Sequence, residues 1–589
     1  MADVTLTVDG KKLTAPAGTL LIEACRKVGI DIPAFCYYPG LSLQAACRMC
    51  LVRIEKIGKL QTACTTPIAE GMIVSTETDE IKQARKSMVE LVLANHPLDC
   101  PVCDAGGECE LQDMTFKYGA GGSKFVDVKN HRDEQQWSPV VFFDRPRCIL
   151  CYRCVRVCNE GMDVAALGIQ MRNVGSVIAP NDITSLDCEQ CGMCIDICPV
   201  GALTSDTYRY KTRPWEMTHV GTICTHCGDG CKTTLGLRRS ESGMQIVRGD
   251  NRDKSGFNGE FLCVKGRYAF DFADSSERLT QPLVRQPDGQ FAPVSWEDAI
   301  AVVARSLKEI REERGGTSIG VIGSTRITNE EAYLLQKFAR NTLGTKNIDH
   351  HRTTDYVGFV RALAGQKNRF ASIADAGSAP AILLVGNDPT EQHPLLAWNL
   401  RTNVRHNAAR IYIVNHRDIK LERQAKSSLH IRENGYEAFL RFLGGEENTT
   451  FGEEGKSLRD ALRQEPNLLI VFGAEVRGTA IDALVKFGLS LPDTKFACLG
   501  DFANSRGASD MGLYPDLLPG YLPVENSAAA LGLPQMLDAA ARNELAALYI
   551  VGDDPVERLG VSADALQNTF VVVQDMFMTA TARLADVIL

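Results

Sequence analysis

Cysteine spacing decides what this chain can fold into. Of its 21 cysteines, all but Cys25 and Cys498 fall into regularly gapped groups. In order these are Cys36, Cys47, Cys50 and Cys64; then His96 with Cys100, Cys103 and Cys109. Two like runs follow, Cys148, Cys151, Cys154, Cys158 and Cys188, Cys191, Cys194, Cys198, and the last group is Cys224, Cys227, Cys231, Cys263. Thiols two and three residues apart in a chain without a secretory leader pattern point to metal rather than disulfides, and to a reducing cytoplasm. The gaps match iron–sulfur ligand sets, so residues 36–263 read as a row of one-electron relays.

The 589 residues suffice for about three to five domains at roughly 100–200 residues each. A hydrophobic share of 44% supports real cores, and a net charge of -9 argues against nucleic acid as a partner. No stretch reaches the roughly 20 apolar residues that a membrane span needs, so a membrane enters only through partners.

Val4, Leu6 and Val8 alternate, Asp9-Gly10 offers a hairpin turn, and residues 11–15 return as a second strand. Leu20, Leu21, Ala24 and Val28 share a helical face closed by Gly29. Strand, turn, strand, helix and cysteine loop is the order of a β-grasp ferredoxin, and the first four cysteines suit a [2Fe–2S] cluster. Its first gap is longer than the plant-type spacing. Tetrahedral zinc is the alternative for such a set. Cys25 lies on the helix face as a core residue.

Thr78 caps a predicted helix over 79–94 with Ile81, Met88, Leu91 and Val92 on its buried side. Only three cysteines follow before Cys148, and a cubane cluster needs four ligands, so His96 becomes the fourth. A neutral imidazole in place of a thiolate removes one negative charge and alters the potential. Asp104-Ala105-Gly106-Gly107-Glu108-Cys109 is turn-rich enough to wrap the metal closely. The two C-x2-C-x2-C-x3-C runs form the most specific signal in the chain. They indicate a pseudo-twofold ferredoxin fold in which the fourth cysteine of each run serves the other cluster. One [4Fe–4S] set is Cys148, Cys151, Cys154 and Cys198; the other is Cys188, Cys191, Cys194 and Cys158.

Beyond about residue 275 strands alternate with helices. Apolar strands at 319–322, 381–385, 411–414, 468–472 and 548–551 end in Gly, Asn, His or Asp loops, with a helical run at 330–343. Open α/β sheets present such loops at the carboxyl edge, where nucleotide-like cofactors bind. Cys498 reads as core. The apolar run at 586–589 carries no polar tail, which points to a chain cut within a longer protein.

This order of sites resembles the large iron–sulfur subunit of bacterial respiratory complex I, the proton-translocating NADH:quinone oxidoreductase. The resemblance covers essentially the whole chain, including Trp296-Glu297-Asp298-Ala299-Ile300, Asn329 to Lys337 and the segment at 579–589. The C-terminal half is similar to molybdopterin oxidoreductases such as NAD-linked formate dehydrogenase. The resemblance implies a multidomain α+β and α/β fold: a β-grasp [2Fe–2S] domain at 1–78, a His/Cys3 cluster domain at 79–140 and a 2[4Fe–4S] ferredoxin-type domain at 141–210. A [4Fe–4S] molybdopterin-oxidoreductase-type domain at 217–275 and a molybdopterin-oxidoreductase-like α/β region at 276–589 complete it.

By that resemblance the Cys224 set holds a further cluster, giving one [2Fe–2S] and four [4Fe–4S] in all, one more than the usual subunit because all eight ferredoxin ligands are present. Electrons come from an NADH-binding flavoprotein partner, alongside a small [2Fe–2S] subunit and other peripheral-arm subunits, at the inner face of the cell membrane. The His96 and Cys148 clusters lie on the main wire and the Cys224 cluster is a side branch. Lys265 stands where catalytic relatives place a lysine between cluster and pterin. Asp355 and Tyr356 stand where formate dehydrogenases place a sulfur ligand and a histidine, so formate oxidation is disfavoured and molybdopterin is expected to be absent. Aspartate ligates molybdenum in some relatives, which keeps a catalytic formate dehydrogenase subunit as the alternative. Asp355 otherwise reads as a solvated loop residue. No G-x-G-x-x-G follows a strand, so no NADH site is expected in this chain.

Overall fold

The computed structural model describes every residue except Met1, Asn130, Ile183 and Ser242. The chain divides into two compact units, one of residues 1–222 and 232–269, the other of residues 223–231 and 270–589.

The first unit opens with the hairpin Asp3–Val8 and Lys11–Pro16. Asp9 and Gly10 both take positive φ, at 46° and 79°, the geometry of a tight two-residue hairpin turn. Asp3–Val8 also pairs in parallel with Ile73–Ser75, which continues the sheet to Leu51–Ile54 and Gln61–Thr62. Leu6, Val8, Leu13 and Ala15 bury one face of this sheet against the helix Leu21–Lys27, and Cys25 sits in that core. Val28, expected on the buried face, is exposed because the helix has already ended.

The next helix, Asp79–Leu93, starts where the Thr78 hydroxyl accepts from the Ile81 amide at 3.3 Å. Its buried stripe is Ile81, Arg85 and Val89, and Leu91 faces solvent. The expected apolar stripe is thus rotated, because a fully buried arginine occupies its centre. Arg85 donates to the carbonyls of Met49 at 3.1 Å and Leu51 at 3.3 Å, to Tyr118 at 2.8 Å and to Glu77 at 2.7 Å.

The ferredoxin-like region shows its internal duplication in the backbone. Leu150 and Tyr152 in the first run, and Gln190 and Gly192 in the second, all have positive φ. Each run then enters a one-turn helix, Arg153–Arg156 and Met193–Asp196. Phe143, Val141, Leu167, Ile178 and Leu203 pack beneath.

The second unit holds two sheets. In the seven-stranded one, Phe570–Gln574, Ala547–Val551, Ile319–Gly323 and Ile348–His350 run parallel, and Val587–Ile588 joins them to an antiparallel edge. The other is wholly parallel, in the order Ser427–His430, Arg410–Asn415, Ala381–Val385, Leu468–Phe472, Lys495–Cys498. All five residues of Ala381–Val385 and of Leu468–Phe472 are buried, as expected of strands covered by helices on both faces. The chain order reverses between these two strands, so their loops, Gly386-Asn387-Asp388 and Gly473, open at the switch point of a doubly wound sheet.

Candidate metal centres

In the β-grasp domain Cys36, Cys50 and Cys64 are buried and Cys47 is half-buried. Cys50 and Cys64 lie with sulfurs 3.3 Å apart, and the Cys47 amide donates to the Cys36 sulfur at 3.4 Å. Contact with Cys47, the amides of Cys47 and Ala46 and the nearby Arg156 charge lower the Cys36 thiol below its ordinary range. Cys64 feels the charges of Cys50, Cys36 and Cys47, so the four sulfurs share one pocket.

His96 lies just beyond the helix Asp79–Leu93, and its Nδ1 is buried without a hydrogen-bond partner among the described residues. Burial pushes its pKa down to about 4, which keeps the imidazole neutral, the form that ligates metal. Burial pushes the Cys109 thiol up to about 11, with Cys103 and Cys100 adding to the rise, so these three thiols are neighbours. The loop between them is tight. A Cβ on Gly106 would fall 2.8 Å from the Cys100 carbonyl oxygen, and one on Gly201 would fall 2.4 Å from the Cys103 sulfur.

Two small cavities lie in the ferredoxin-like region. Cys148, Cys151, Cys154 and Cys198 line one; Cys158, Cys188, Cys191 and Cys194 line the other. Each therefore combines three cysteines of one run with the fourth of its twin. Burial pushes Cys148, Cys151 and Cys191 up to about 12, and raises Cys154 and Cys194 well above the ordinary thiol range. A bare thiol there keeps its proton, and only a bound cation makes the thiolate the stable form. The amide of Ala166 donates to the Cys158 sulfur and that of Gln190 to the Cys188 sulfur, each at 3.3 Å. Bonds of this kind shift cluster potentials.

Cys224, Cys227 and Cys231 are buried in the second unit, where the Cys224 amide donates to the Cys231 carbonyl at 2.9 Å. Cys263 belongs to the first unit, buried at the start of the helix Val264–Tyr268, on which Lys265 is exposed. Sequence reasoning missed Asp229, in the loop between Cys227 and Cys231. It meets His393 at 2.8 Å with both side chains fully buried. No spacing rule could link residues so far apart in the chain.

The second unit also contains a cavity of about 470 Å³, lined among others by His350, His351, Thr353, Tyr356, Cys498 and Arg506. Cys498 is half-buried, packed against the core of the parallel sheet on one side and lining this cavity on the other. Asp355 is not a solvated loop residue either. It caps the helix Tyr356–Ala362, its Oδ1 accepting from the Gly358 amide at 2.9 Å and its Oδ2 from the Gly478 amide at 3.0 Å.

Residues 1–79 match the family described as 2Fe-2S iron-sulfur cluster binding domain, and residues 85–124 the NADH-ubiquinone oxidoreductase-G iron-sulfur binding region. Residues 138–204 match NADH-quinone oxidoreductase subunit 3, ferredoxin-like domain. Residues 217–275 match the Molybdopterin oxidoreductase Fe4S4 domain, and residues 278–589 Molybdopterin oxidoreductase. Over 100% of this chain and 74% of the relative, the sequence is 33% identical to the second G subunit of NADH-quinone oxidoreductase of Rhizobium meliloti (strain 1021). The chain belongs to the G-subunit family of NADH-quinone oxidoreductase.

Other relatives match over a similar extent. The mitochondrial NADH-ubiquinone oxidoreductase 78 kDa subunit of Neurospora crassa is 30% identical over 100% of this chain and 75% of its own length. The NADPH-Fe(3+) oxidoreductase subunit alpha of Geobacter sulfurreducens (strain DL-1 / KN400) is 32% identical over 99% of this chain and 76% of its own. The chain thus carries a [2Fe–2S] domain and [4Fe–4S]-binding domains. No helix among its described residues is long and apolar enough to cross a membrane. The thiol sets fit iron–sulfur clusters by donor chemistry and by the orphaned His96 nitrogen. The region at Asp355 fits a molybdenum centre poorly, because both carboxylate oxygens are already engaged by backbone amides.

Proposed function

We propose that this chain relays single electrons as the large iron–sulfur subunit of NADH-quinone oxidoreductase, from a flavoprotein that oxidises NADH toward quinone. Its ligands are Cys36, Cys47, Cys50 and Cys64 for one [2Fe–2S], and four sets for [4Fe–4S]: His96 with Cys100, Cys103 and Cys109; Cys148, Cys151, Cys154 with Cys198; Cys188, Cys191, Cys194 with Cys158; and Cys224, Cys227, Cys231 with Cys263. The observation that carries the reading is the pair of cavities in which each cysteine run lends its fourth thiol to the other. Iron–sulfur clusters, when bound, take up and release one electron at a time. The protein's own part is to shield the thiols other than that of the exposed Cys100, hold His96 neutral, and aim backbone amides at sulfur.

Molybdopterin plays no part in this reading. The capping role of Asp355 supports that view, and no role is given to Lys265 beyond its exposed place near Cys263. The small [2Fe–2S] and other peripheral-arm subunits are the proposed neighbours, at the inner face of the cell membrane.

A second reading keeps the same relays but changes the ends of the wire. It is favoured by the near-full-length likeness to an NADPH-Fe(3+) oxidoreductase subunit alpha. The purified native complex separates the two. Reduction of the chain's iron–sulfur signals by NADH and their reoxidation by quinone supports the first. Reduction by NADPH alone, with ferric iron as the only effective acceptor, supports the second. Formate-driven reduction with stoichiometric molybdenum would overturn both.

A further inference from the structure

The helix that carries Cys154 also carries Arg153 and Arg156, each more than nine-tenths buried. Arg153 forks onto Glu110, at 2.6 and 3.0 Å, and donates to the Ala34 carbonyl at 2.8 Å. It thereby ties the helix that follows Cys109 to the loop that leads into Cys36. Arg156 does something narrower. Its Nη2 donates to the carbonyl of Cys36 and, at 3.4 Å, to that of Cys151. Its Nη1 donates to the carbonyl of Ser42, and its Nε to that of Tyr152 at 3.3 Å. Every one of these partners is a backbone oxygen.

One nitrogen thus touches the backbone of a ligand from each of two different sets, those of Cys36 and of Cys148. The Cys36–Cys47 loop is also held from the far end of the same helical segment, where Glu160 accepts from the Ser42 amide at 2.8 Å and from its hydroxyl. The hydrogen bonds of Arg156 go to neutral carbonyls, and the negative groups that act on it are the Glu160 carboxylate and the Cys36 and Cys151 sulfurs. Burying a guanidinium is expensive unless its charge is used. Two centres that become more negative on reduction supply that use.

We propose that Arg156 is a positioning residue for electron transfer between the Cys36 centre and the Cys148 centre. Its Nη2, aimed by the Nη1 and Nε bonds, fixes the separation of the Cys36 and Cys151 backbones, and its charge stabilises the reduced form of both centres. One electron leaves one centre and arrives at the other, the guanidinium keeps its proton, and no bond forms or breaks. The proposal rests on the cluster occupancy given under the proposed function.

The test uses the full chain with its clusters reconstituted, as parent, Arg156→Gln and Arg156→Lys. Redox-titrated paramagnetic resonance gives the midpoint potentials of both centres. Relaxation enhancement of the [2Fe–2S] signal by its reduced [4Fe–4S] neighbour gives their separation. Arg156→Gln is expected to lower both potentials and weaken the enhancement at unchanged iron content. Arg156→Lys should hold the potentials near the parent's and still weaken the enhancement, since one ammonium lacks the Nη1 and Nε donors that hold the Ser42 and Tyr152 carbonyls and so aim Nη2 at the Cys36 and Cys151 carbonyls. Should Arg156→Gln fail to load iron, Arg156→Lys decides. Parental enhancement in the lysine variant, or parental potentials in a loaded glutamine variant, would overturn the proposal. Absence of any reducible signal in the parent would instead defeat the cluster assignment itself.

Discussion

Replacing Gly201 by alanine adds one methyl group at the most sensitive contact of the His96 site. The new Cβ would lie 2.4 Å from the Cys103 sulfur and 3.3 Å from the Ala105 Cβ, where ordinary contacts begin at 3.4 Å. Something must retreat by about 1 Å. The Gly201 backbone cannot easily do so, because Val200, Ala202 and Leu203 beside it are all buried. If the sulfur moves, it leaves a metal–thiolate bond of about 2.3 Å that tolerates only about 0.2 Å. If the backbone moves, the overpacking costs about 1–3 kcal/mol. The variant is therefore expected to lose the His96-type signal in low-temperature paramagnetic resonance and about four iron atoms per chain. The [2Fe–2S] signal should persist, since its pocket does not include this contact. Gly121→Ala is the control, having nothing within 4 Å of its would-be Cβ. Full parental intensity of every signal in Gly201→Ala, with thermal stability unchanged, would refute the claim that Cys103 is fixed by metal.

Cys191→Ala should remove one [4Fe–4S] signal and about four iron atoms, leaving the Cys148 centre intact; loss of both ferredoxin centres together, or of neither, would contradict the crossed ligand sets. Arg85→Met leaves the buried Met49 and Leu51 carbonyls without their donor and should cost about 2–6 kcal/mol at roughly 1–3 kcal/mol for each orphaned group, read as earlier thermal bleaching of the [2Fe–2S] absorbance. Glu465, gripped by Arg410 and Tyr412, has its carboxyl held below the usual range. A depressed carboxylate contributes stability above its unfolded value of about 4.3, which is lost as pH falls through the lower folded value. Glu465→Gln should flatten that acid limb in pH-dependent unfolding of the second unit.

What the sequence made legible was local. Asp9-Gly10, the Thr78 cap and the Cys-x2-Cys gaps act over a few residues, and each has a direct structural counterpart. The alternation of strands and helices after residue 275 was equally plain, but strand order was not, since parallel neighbours are chosen by crossovers that leave no mark in periodicity. Leu91 failed because an apolar pattern cannot reveal that Arg85 finds three buried partners, Met49, Leu51 and Tyr118, besides Glu77. Asp355 was readable only as a loop residue, because one of the amides it binds, that of Gly478, lies 123 residues away. Arg156 was hidden for the same reason. Its partners are backbone oxygens, and main chain has no sequence signature.

Iron and acid-labile sulfide, counted on the anaerobically purified chain with Mössbauer spectra of the same sample, test the account most directly. It predicts about 18 iron atoms and as many sulfides, as one [2Fe–2S] and four [4Fe–4S] centres, all reducible. Stoichiometric zinc in place of iron, or iron that no reductant changes, would contradict it.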